Sequence, residues 1–470
     1  MKPKHVVLSS FISLAFLSSA LAGPSRDEKK TIPFESLKKY ITCELFDPNF
    51  LLGDCNYHCL ISASDGKIYF ALGTHNTDYA CRFYSFDPPT AKITLIAELD
   101  KVLGEDSKKE FSQGKIHTRL IEHKGKIWFA THTSFYNWKE SVPSTDYGGK
   151  IPYKGGHFMN YDLKTGRFTD IARIFPGEGI ITMTIDRVND ILYGLTWPAG
   201  IFISYDIKAN DLRYWGAVQG RGEWGHHPWE WDRICRTLAI DPNGFVYGST
   251  MDGLIWKYDR SKPRPISYIN GLDLSRVPFS QSAEETNKGD SQHIWRTIEW
   301  NPNTNSFWGL HTQCTTLFEF DPAASYIRAV AQLSHEAYWD MPKNPEKTQL
   351  GFMIGPKNTI LYLAHSPAVV IKGCEPVQSA LNLITYEIDK NKYIDHGPIL
   401  SEDKRRVFFA ESIAIGPDDH IYTVAWVEGA NPQRREFLKN IRVVATAAET
   451  EETPYEMMLV RLPKWQEFVK

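Results

Sequence analysis

Residues 191–206 read ILYGLTWPAGIFISYD: a short apolar strand centred on Tyr193, a Pro-Ala-Gly turn, and a second strand that closes on Tyr205-Asp206. The same pattern occurs seven times along the chain. The central aromatic residues are Tyr69, Trp128, Tyr193, Tyr247, Trp308, Tyr362 and Tyr422, and the partner strands span 83–87, 158–162, 202–206, 255–259, 317–321, 383–387 and 457–461. A repeat of roughly 40 to 60 residues built only of short strands predicts an all-β, seven-bladed β-propeller with one four-stranded blade per unit.

In a propeller, the innermost strand of every blade faces one central channel, so equivalent positions lie at the same depth. Counting back eleven residues from each central aromatic residue gives His58, His117, Thr182, Arg236, Thr297, Gly351 and Glu411. A longer turn at 301–305 moves Arg296 into the place of Thr297. The sequence therefore predicts two histidines, two arginines and one glutamate at one level of the channel.

The chain has 470 residues, which one seven-bladed propeller of about 50 to 60 residues per blade uses in full. Lys2 and Lys4 precede an apolar run over 6–21 that ends in small residues, which indicates a signal peptide at 1–22. We expect a secreted or periplasmic protein with a single domain at 23–470, in which 23–57 forms a lead-in segment. No other apolar run approaches the length that stable membrane insertion needs after signal cleavage.

The formal net charge is -3, and positive and negative residues are mixed without a basic block. Proteins that hold nucleic acid carry such a block, so we expect no nucleic-acid partner. Aromatic residues make up 13% of the sequence; side chains of this kind pack blades face to face or form platforms for sugar rings. Composition alone does not separate these two uses.

Seven cysteines are present, an odd number: Cys43, Cys55, Cys59, Cys81, Cys235, Cys314 and Cys374. Export permits the first four to pair and tie the N-terminal segment to the first blade. His311 and Cys314 stand three residues apart, and thiolate and imidazole suit zinc. A structural Zn or Ca ion is therefore one expectation, with His311 and Cys314 as ligands, and buried free cysteines are the alternative.

Four insertions interrupt the repeat, at 136–156, 219–232, 273–292 and 428–454. Loops of this length in a compact domain tend to be functional or disordered. The second insertion contains WGHHPWEW at 224–231 and leads directly to Arg236. We expect this aromatic loop to form a wall of the site at the channel mouth.

Three histidines cluster around the second repeat. His117 lies on the inner strand, His132 follows the neighbouring strand, and His157 begins the next strand after a Gly-Gly pair. Imidazole titrates near neutral pH, so paired histidines in a cleft are natural proton carriers. The alternative is that they are polar strand caps bonded to the backbone. Because His117 shares its level with Arg236 and Arg296, we favour a functional site.

Arg236 and Arg296 at one level predict an anionic ligand, because a guanidinium binds carboxylate or sulfate through paired hydrogen bonds. Glu411 at the same level allows an alternative, in which it neutralises one arginine in a structural ion pair. Glu411 is the single carboxylate predicted there. This argues against an ordinary glycoside hydrolase, since that chemistry needs two carboxyl groups.

The inner-strand His117 and Arg236, the segment Ala130-Thr131-His132-Thr133 and the strand start Gly155-Gly156-His157 together resemble the propeller-fold polysaccharide lyases, in particular the ulvan lyases. Members of that group cleave uronic-acid polysaccharides by β-elimination, with His and Tyr in proton transfer and Arg with His at the uronate. The resemblance implies that His117 and His132 are acid/base or carboxylate-contacting groups and that Arg236 neutralises the carboxylate. Trp197 stands where a tyrosine is expected, so Tyr136 or Tyr193 is the substitute.

We therefore expect an exported lyase acting on an acidic, ulvan-like polysaccharide, with His117, His132, Arg236 and Tyr136 catalytic and no cofactor required for the elimination. The residues expected to contact the polysaccharide are His157, Arg296, Trp197, His311, Glu411 and His58. Two alternatives remain open. One is a non-catalytic propeller that binds acidic carbohydrate, and the other is a metal-dependent lactonase or hydrolase in which Glu411 and the histidines hold a divalent ion.

Overall fold

The computed structural model describes residues 40–134, 150–218, 220–223, 232–277, 293–312, 315–339, 348–366, 380–429 and 455–469. In these ranges the chain is almost entirely β-structure, arranged as the seven blades of a β-propeller. From the channel outward, neighbouring strands of a blade pair antiparallel in chain order, and in blade 7 the N-terminal strand at 41–46 adds outside the last one. The predicted fold class is confirmed.

The strands follow the repeat closely. The N-terminal strand β1 (Ile41–Phe46) belongs to the last blade. Blade 1 holds β2 (Leu60–Ser62), β3 (Ile68–Leu72), β4 (Arg82–Asp87) and β5 (Lys92–Glu98). Blade 2 holds β6 (Lys115–Ile116), β7 (Ile121–His123), β8 (Lys126–His132), β9 (His157–Asp162) and β10 (Arg167–Arg173). Blade 3 holds β11 (Gly179–Asp186), β12 (Ile191–Trp197), β13 (Ile201–Asp206) and β14 (Asp211–Ala217).

Blade 4 holds β15 (Ala239–Ile240), β16 (Val246–Ser249), β17 (Leu254–Tyr258) and β18 (Ile266–Asp273). Blade 5 holds β19 (Trp295–Asn301), β20 (Ser306–His311), β21 (Thr316–Asp321) and β22 (Tyr326–Gln332). Blade 6 holds β23 (Phe352–Gly355), β24 (Thr359–Ser366), β25 (Ala380–Glu387) and β26 (Lys392–Ser401). Blade 7 holds β27 (Val407–Ala410), β28 (Ala414–Ile415), β29 (His420–Glu428) and β30 (Tyr455–Lys464). The described helices are α1 (Leu99–Leu103) and 3₁₀ turns at Leu274–Arg276, Glu336–Tyr338, Pro356–Asn358, Ile388–Lys390 and Trp465–Glu467.

The central aromatic residues of the repeat form the core between blades. Strand β12 is buried along almost its whole length, whereas the outermost strand β14 is largely exposed. Tyr193 on β12 stacks on Phe202 in its own blade and contacts Tyr258 of blade 4. Each such aromatic pair adds about 0.5–1.5 kcal/mol beyond simple burial. Middle strands read as continuous apolar runs because blades cover both of their faces.

The N-terminal strand closes the ring. Strand β1 pairs antiparallel with β30 as the outermost strand of blade 7, and Glu44 forms an ion pair with Arg461 there. It also pairs parallel with β26 of blade 6. Closure of this kind removes exposed sheet edges. The segment predicted to be a lead-in therefore contains, in its described part, a structural strand of the last blade.

The innermost strands are interrupted at one level. Register shifts occur between Ile180 and Thr182 on β11 and between Trp295 and Thr297 on β19. Blades 2 and 7 each have a short innermost strand on either side of the same level, at β6 and β7 and at β27 and β28. Bulges of this type release a backbone position from the ladder and redirect its side chain. His117, Arg296 and Glu411 fall at these interruptions, whereas His58 and Arg236 precede the first strands of blades 1 and 4.

Cys43, Cys55, Cys59 and Cys81 are buried free thiols, so the structure does not contain the disulfides considered for them. Burial raises the pKa of the Cys59 and Cys81 thiols, as expected for inert core cysteines. Cys374 and the predicted ligand Cys314 lie outside the described residues. In the described part of the chain, no helix has the length and apolar character needed to cross a membrane.

Candidate functional site

Five side chains from five blades converge at one level of the channel. They are His58, His117, Arg236, Arg296 and Glu411, and they are called the channel ring below. The backbone N–H of His58 donates to the carbonyl oxygen of Glu411 at 2.9 Å, across the junction of blades 1 and 7. Arg296 of blade 5 forms an ion pair with Glu411. The register count thus identified residues that share one site.

His117 is positioned by backbone and aromatic contacts. Its Nδ1 lies 2.9 Å from the carbonyl oxygen of Ile181, so Nδ1 carries the proton and the neutral ring keeps a lone pair on Nε2. The ring of Tyr57 stacks on it, with centroids 4.1 Å apart and an interplanar angle of 18°. Burial, together with the nearby His132 and Arg236, holds the pKa of His117 well below its ordinary value. The imidazole is therefore neutral at physiological pH, with Nε2 unprotonated.

His132 lies directly behind His117. The two ring centroids are 5.7 Å apart, and the His132 Nδ1 donates to the carbonyl oxygen of Thr133 at 3.0 Å. A side chain at position 179 would place its Cβ 2.9 Å from the His132 ring, so Gly179 makes room for it. Burial and the charge of Lys115 lower the pKa of His132 to about 3. Its Nε2 is buried and has no hydrogen-bond partner among the described residues.

Arg236 is held by a glutamate that the sequence did not reveal. Its Nη1 lies 2.6 Å from the Glu223 Oε1 and donates to the carbonyl oxygen of Ile234 at 2.8 Å. The other oxygen of Glu223 accepts a hydrogen bond from the indole N–H of Trp197 at 2.7 Å. Burial raises the pKa of Glu223, but Arg236 outweighs it and the net shift is downward. Trp197, the residue found in place of the expected tyrosine, thus orients the partner of Arg236.

A third ion pair spans the channel between blades 2 and 5. Arg119 of blade 2 donates to Glu299 at 2.8 Å and to the hydroxyl of Thr297 at 3.2 Å, both on blade 5. Glu411, by contrast, is so deeply buried that its pKa is raised, although Arg296 opposes the shift. Three arginines of the channel therefore each have a glutamate partner. The alternative in which Glu411 neutralises an arginine describes the geometry correctly, and it leaves Glu411 engaged with a cation rather than available to a metal.

His58 completes the ring from an unusual backbone conformation. Its φ of 53° lies in the left-handed region, which a non-glycine residue adopts rarely and often at functional positions. Burial and the charges of Arg119 and Arg296 lower its pKa well below the ordinary value. Three neutral histidines thus lie beside the channel arginines, namely His58, His117 and His132.

Two predicted substrate contacts, His157 and His311, lie on strands outside the innermost one of their blades. His157 is on β9, the third strand of blade 2 counted outward from the channel. Its Nδ1 lies 2.8 Å from Asp170 of the outermost strand, β10. His311 is fully buried at the end of β20, with its ring 5.7 Å from that of His293. Tyr193 is a core residue between blades, as its position in the repeat implies. The predicted catalytic Tyr136 and the aromatic loop at 224–231 lie outside the described residues.

Tyr57 was missed because the register count selects one residue per blade, and in blade 1 it selected the neighbouring His58. Glu223 was missed because it lies in an insertion, although it immediately precedes the aromatic run at 224–231. Arg119 stands two residues after His117, and a strand with period two places both on the same face. That periodicity was a usable signal for Arg119.

The buried histidines predict acid-sensitive stability. In the unfolded chain His132 titrates near 6.5, but in the folded protein its pKa is about 3. As the pH falls through this window, the unfolded state takes up the proton and the folded state does not. The free energy of unfolding is therefore expected to keep its whole histidine contribution above pH 6.5. Below pH 6.5 it is expected to fall by about 1.4 kcal/mol per pH unit for each such histidine.

Urea denaturation at a series of pH values between neutral and mildly acidic measures this slope. His132→Gln removes one titrating group and is expected to flatten the slope by the contribution of one histidine. An unchanged slope in that variant would show that other groups cause the acid sensitivity.

Comparison with known proteins gives similarity at the level of fold. No protein-family model matches the sequence, and no curated protein matches it. A chain of the mitotic checkpoint complex is 12% identical, covers 88% of this chain and 96% of its own, and has a TM-score of 0.45. PorZ, a type-IX secretion component of Porphyromonas gingivalis, is 14% identical, with 80% of this chain and 46% of its own covered and a TM-score of 0.46. YCF48 bound to D1 peptide is 8% identical, with 92% and 97% covered and a TM-score of 0.46.

This chain thus spans less than half of the PorZ chain. The assignment to the seven-bladed propellers rests on the sheets themselves. Within that class, this is a propeller whose channel is lined by neutral histidines and by arginines paired with glutamates.

Proposed function

We propose that this protein is an exported polysaccharide lyase that cleaves a uronic-acid-containing, ulvan-like polymer by β-elimination at the channel ring. One observation carries the proposal: a neutral His117, stacked by Tyr57, lies in the field of a fixed Arg236. The signal sequence at 1–22 supports a secreted or periplasmic setting. The acidic polysaccharide is the proposed partner.

In this reaction the Nε2 of His117 takes the proton from C5 of the uronate. The electron pair of the C5–H bond forms the C4–C5 double bond, and the bond from C4 to the glycosidic oxygen breaks. Tyr57 is the phenol that the described residues place beside His117, and we assign it as the donor that protonates the leaving oxygen. No cofactor is needed to balance these steps.

Arg236 would act on the carboxylate. Removal of the C5 proton builds negative charge on that group, so a fixed cation stabilises the transition state more than the ground state. Glu223 and the carbonyl of Ile234 hold the guanidinium in place before substrate arrives. A bound uronate would therefore share Arg236 with Glu223, which limits affinity but fixes orientation.

The test is the ultraviolet absorbance of the conjugated double bond that elimination creates. The purified protein is mixed with ulvan, pectate, alginate and glycosaminoglycans in turn, and new reducing ends are assayed in parallel. A rise in absorbance with one polymer establishes elimination and the substrate class together. Reducing ends without absorbance would instead indicate hydrolysis, and neither signal with any polymer would contradict the proposal.

A second candidate is a propeller that binds acidic carbohydrate without cleaving it. The observation that favours it is the pairing of the channel arginines with Glu223, Glu299 and Glu411. Such ion pairs can fix the shape of a channel without chemistry. Calorimetric binding of an acidic polymer with no absorbance change and no new reducing ends would favour this candidate.

Arg236→Lys separates a directional role from one that needs charge alone. Lysine keeps the charge but loses the planar guanidinium, of which Nη1 contacts both Glu223 and the carbonyl oxygen of Ile234, and with it the paired donors that a carboxylate binds. If Arg236 orients the uronate, turnover is expected to fall by about 10²-fold or more, as when one transition-state donor is removed. Arg213→Lys, at an exposed arginine paired with Asp211, is the matched control. Full activity in Arg236→Lys would reduce the role of Arg236 to its charge.

A further inference from the structure

A buried cluster of three metal-binding side chains lies near the channel but outside the ring. Asp54 and Cys55 precede the innermost strand of blade 1, and His75 follows its second strand. One potential ligand atom from each of the three lies within 4.8 Å of the others. None of these residues belongs to the pair His311 and Cys314 that the sequence suggested. The cluster also takes no part in the proposed elimination.

The backbone fixes the cluster before any ligand arrives. The backbone N–H of Asp54 donates to the carbonyl oxygen of Gly73 at 3.0 Å, and the backbone N–H of Gly73 donates to the carbonyl oxygen of Cys55 at 2.9 Å. The Asp54 carboxylate accepts from the His75 N–H at 3.0 Å and lies 2.8 Å from the His75 Nδ1. From blade 7, the indole N–H of Trp426 donates to the carbonyl of Asp54 at 3.1 Å. The three donors are thus held together by the junction of the first and last blades.

A missing side chain makes room for the sulfur. A Cβ at position 73 would lie 2.9 Å from the Cys55 Sγ, closer than real contacts of this kind allow. Gly73 has ordinary backbone angles, since it is absent from the residues with positive φ, so conformation does not account for a glycine there. The close approach of the Cys55 thiol, the Lys115 side chain and the Gly114 carbonyl accounts for it.

We propose that Asp54, Cys55 and His75 bind a zinc ion. Thiolate, imidazole and carboxylate are the three ligand types that zinc takes, whereas calcium and magnesium prefer oxygen alone. Three protein ligands leave a fourth position for water or another donor. Binding converts the Cys55 thiol to a zinc-bound thiolate, and the released proton passes to solvent.

Lys115 opposes this binding. Its side chain is buried against Gly73, and its charge acts on both Cys55 and His75. Burial lowers the pKa of Lys115, so its neutral form is more accessible than for a surface lysine.

Lys115→Met is expected to tighten zinc binding by about tenfold, because the substitution removes one positive charge near the ion.

The experiment measures zinc bound per chain after equilibrium dialysis of the full chain against zinc alone, by elemental analysis. Cobalt(II) is then substituted, and its thiolate charge-transfer absorption reports the Cys55 bond. Cys55→Ser is expected to lose one equivalent of zinc relative to the unmodified protein, and to lose the matching part of the cobalt spectrum. Cys59→Ser is the control, because Cys59 is equally buried in the same blade but lies outside the cluster.

His75→Gln provides a second variant at a less buried position, in case Cys55→Ser does not fold. It is expected to weaken zinc binding by at least tenfold while circular dichroism shows the unmodified fold. Comparing the zinc bound per chain in each variant with that in the unmodified protein separates this site from zinc bound elsewhere in the chain. The proposal is overturned if folded Cys55→Ser or His75→Gln binds as much zinc, with the same affinity, as the unmodified protein.

Discussion

His117→Ala is expected to lower the turnover of uronate elimination by about a thousandfold, because a positioned general base contributes about 10²–10⁴-fold. The substitution removes the only proton acceptor that the proposed mechanism places at C5. It also removes the hydrogen bond to Ile181 and the stack on Tyr57, which should cost about 1–2 kcal/mol of stability. Steady-state absorbance assays measure the first effect and urea denaturation the second.

His420→Ala is the matched control for His117→Ala. His420 also directs its Nδ1 to a backbone carbonyl, that of Leu462 at 2.7 Å, but it lies on the second strand of blade 7 rather than in the ring. Its removal should leave turnover unchanged at a comparable cost in stability. If His117→Ala unfolds the protein, or if both variants keep full turnover, His117 is a structural strand residue and the lyase proposal loses its base.

The repeat predicted the site residues that depend on backbone register alone. His58, His117, Arg236, Arg296 and Glu411 converge because each stands a fixed distance before an aromatic residue that the core requires. Arg296, which the longer turn at 301–305 was expected to move into the ring, forms an ion pair with Glu411. The structure places Arg296 at a bulge between Trp295 and Thr297, which shifts the register by one residue.

The sequence could not predict contacts made by segments that lie outside the repeat. Glu223 reaches Arg236 from the connection between blades 3 and 4, and a glutamate in a long insertion carries no periodic signal. His157 was predicted to join the other histidines because it starts a strand near them in sequence. That strand is the third of its blade, however, and distance from the channel grows with strand order. The pairing of β1 with β30 could likewise not be predicted, since the two strands lie about 400 residues apart in the sequence.

Glu223→Gln is expected to lower the free energy of unfolding by about 3–5 kcal/mol, the cost of leaving a buried charge without its partner. Glutamine has nearly the same shape, and its amide oxygen can still accept from Trp197. The amide group that replaces Oε1 then removes the charge opposite Arg236 and the acceptor for the backbone N–H of Ile234. Glu98→Gln is the control, because Glu98 pairs with Arg82 at a partly exposed site and should change stability by about 1 kcal/mol or less. Urea denaturation at neutral pH compares the two.

The same variant distinguishes the two functions proposed for the ring. If Glu223 mainly positions Arg236 for the transition state, Glu223→Gln lowers kcat and leaves KM nearly unchanged, because the cation no longer sits where charge develops. If the ion pair mainly competes with an acidic ligand, the freed Arg236 binds the polymer more tightly. Affinity then rises without any gain in turnover. If Glu223→Gln is as stable as the wild type, another group must neutralise the charge of Arg236. The ion pair between Arg296 and Glu411 would then be the contact that holds the channel ring in shape.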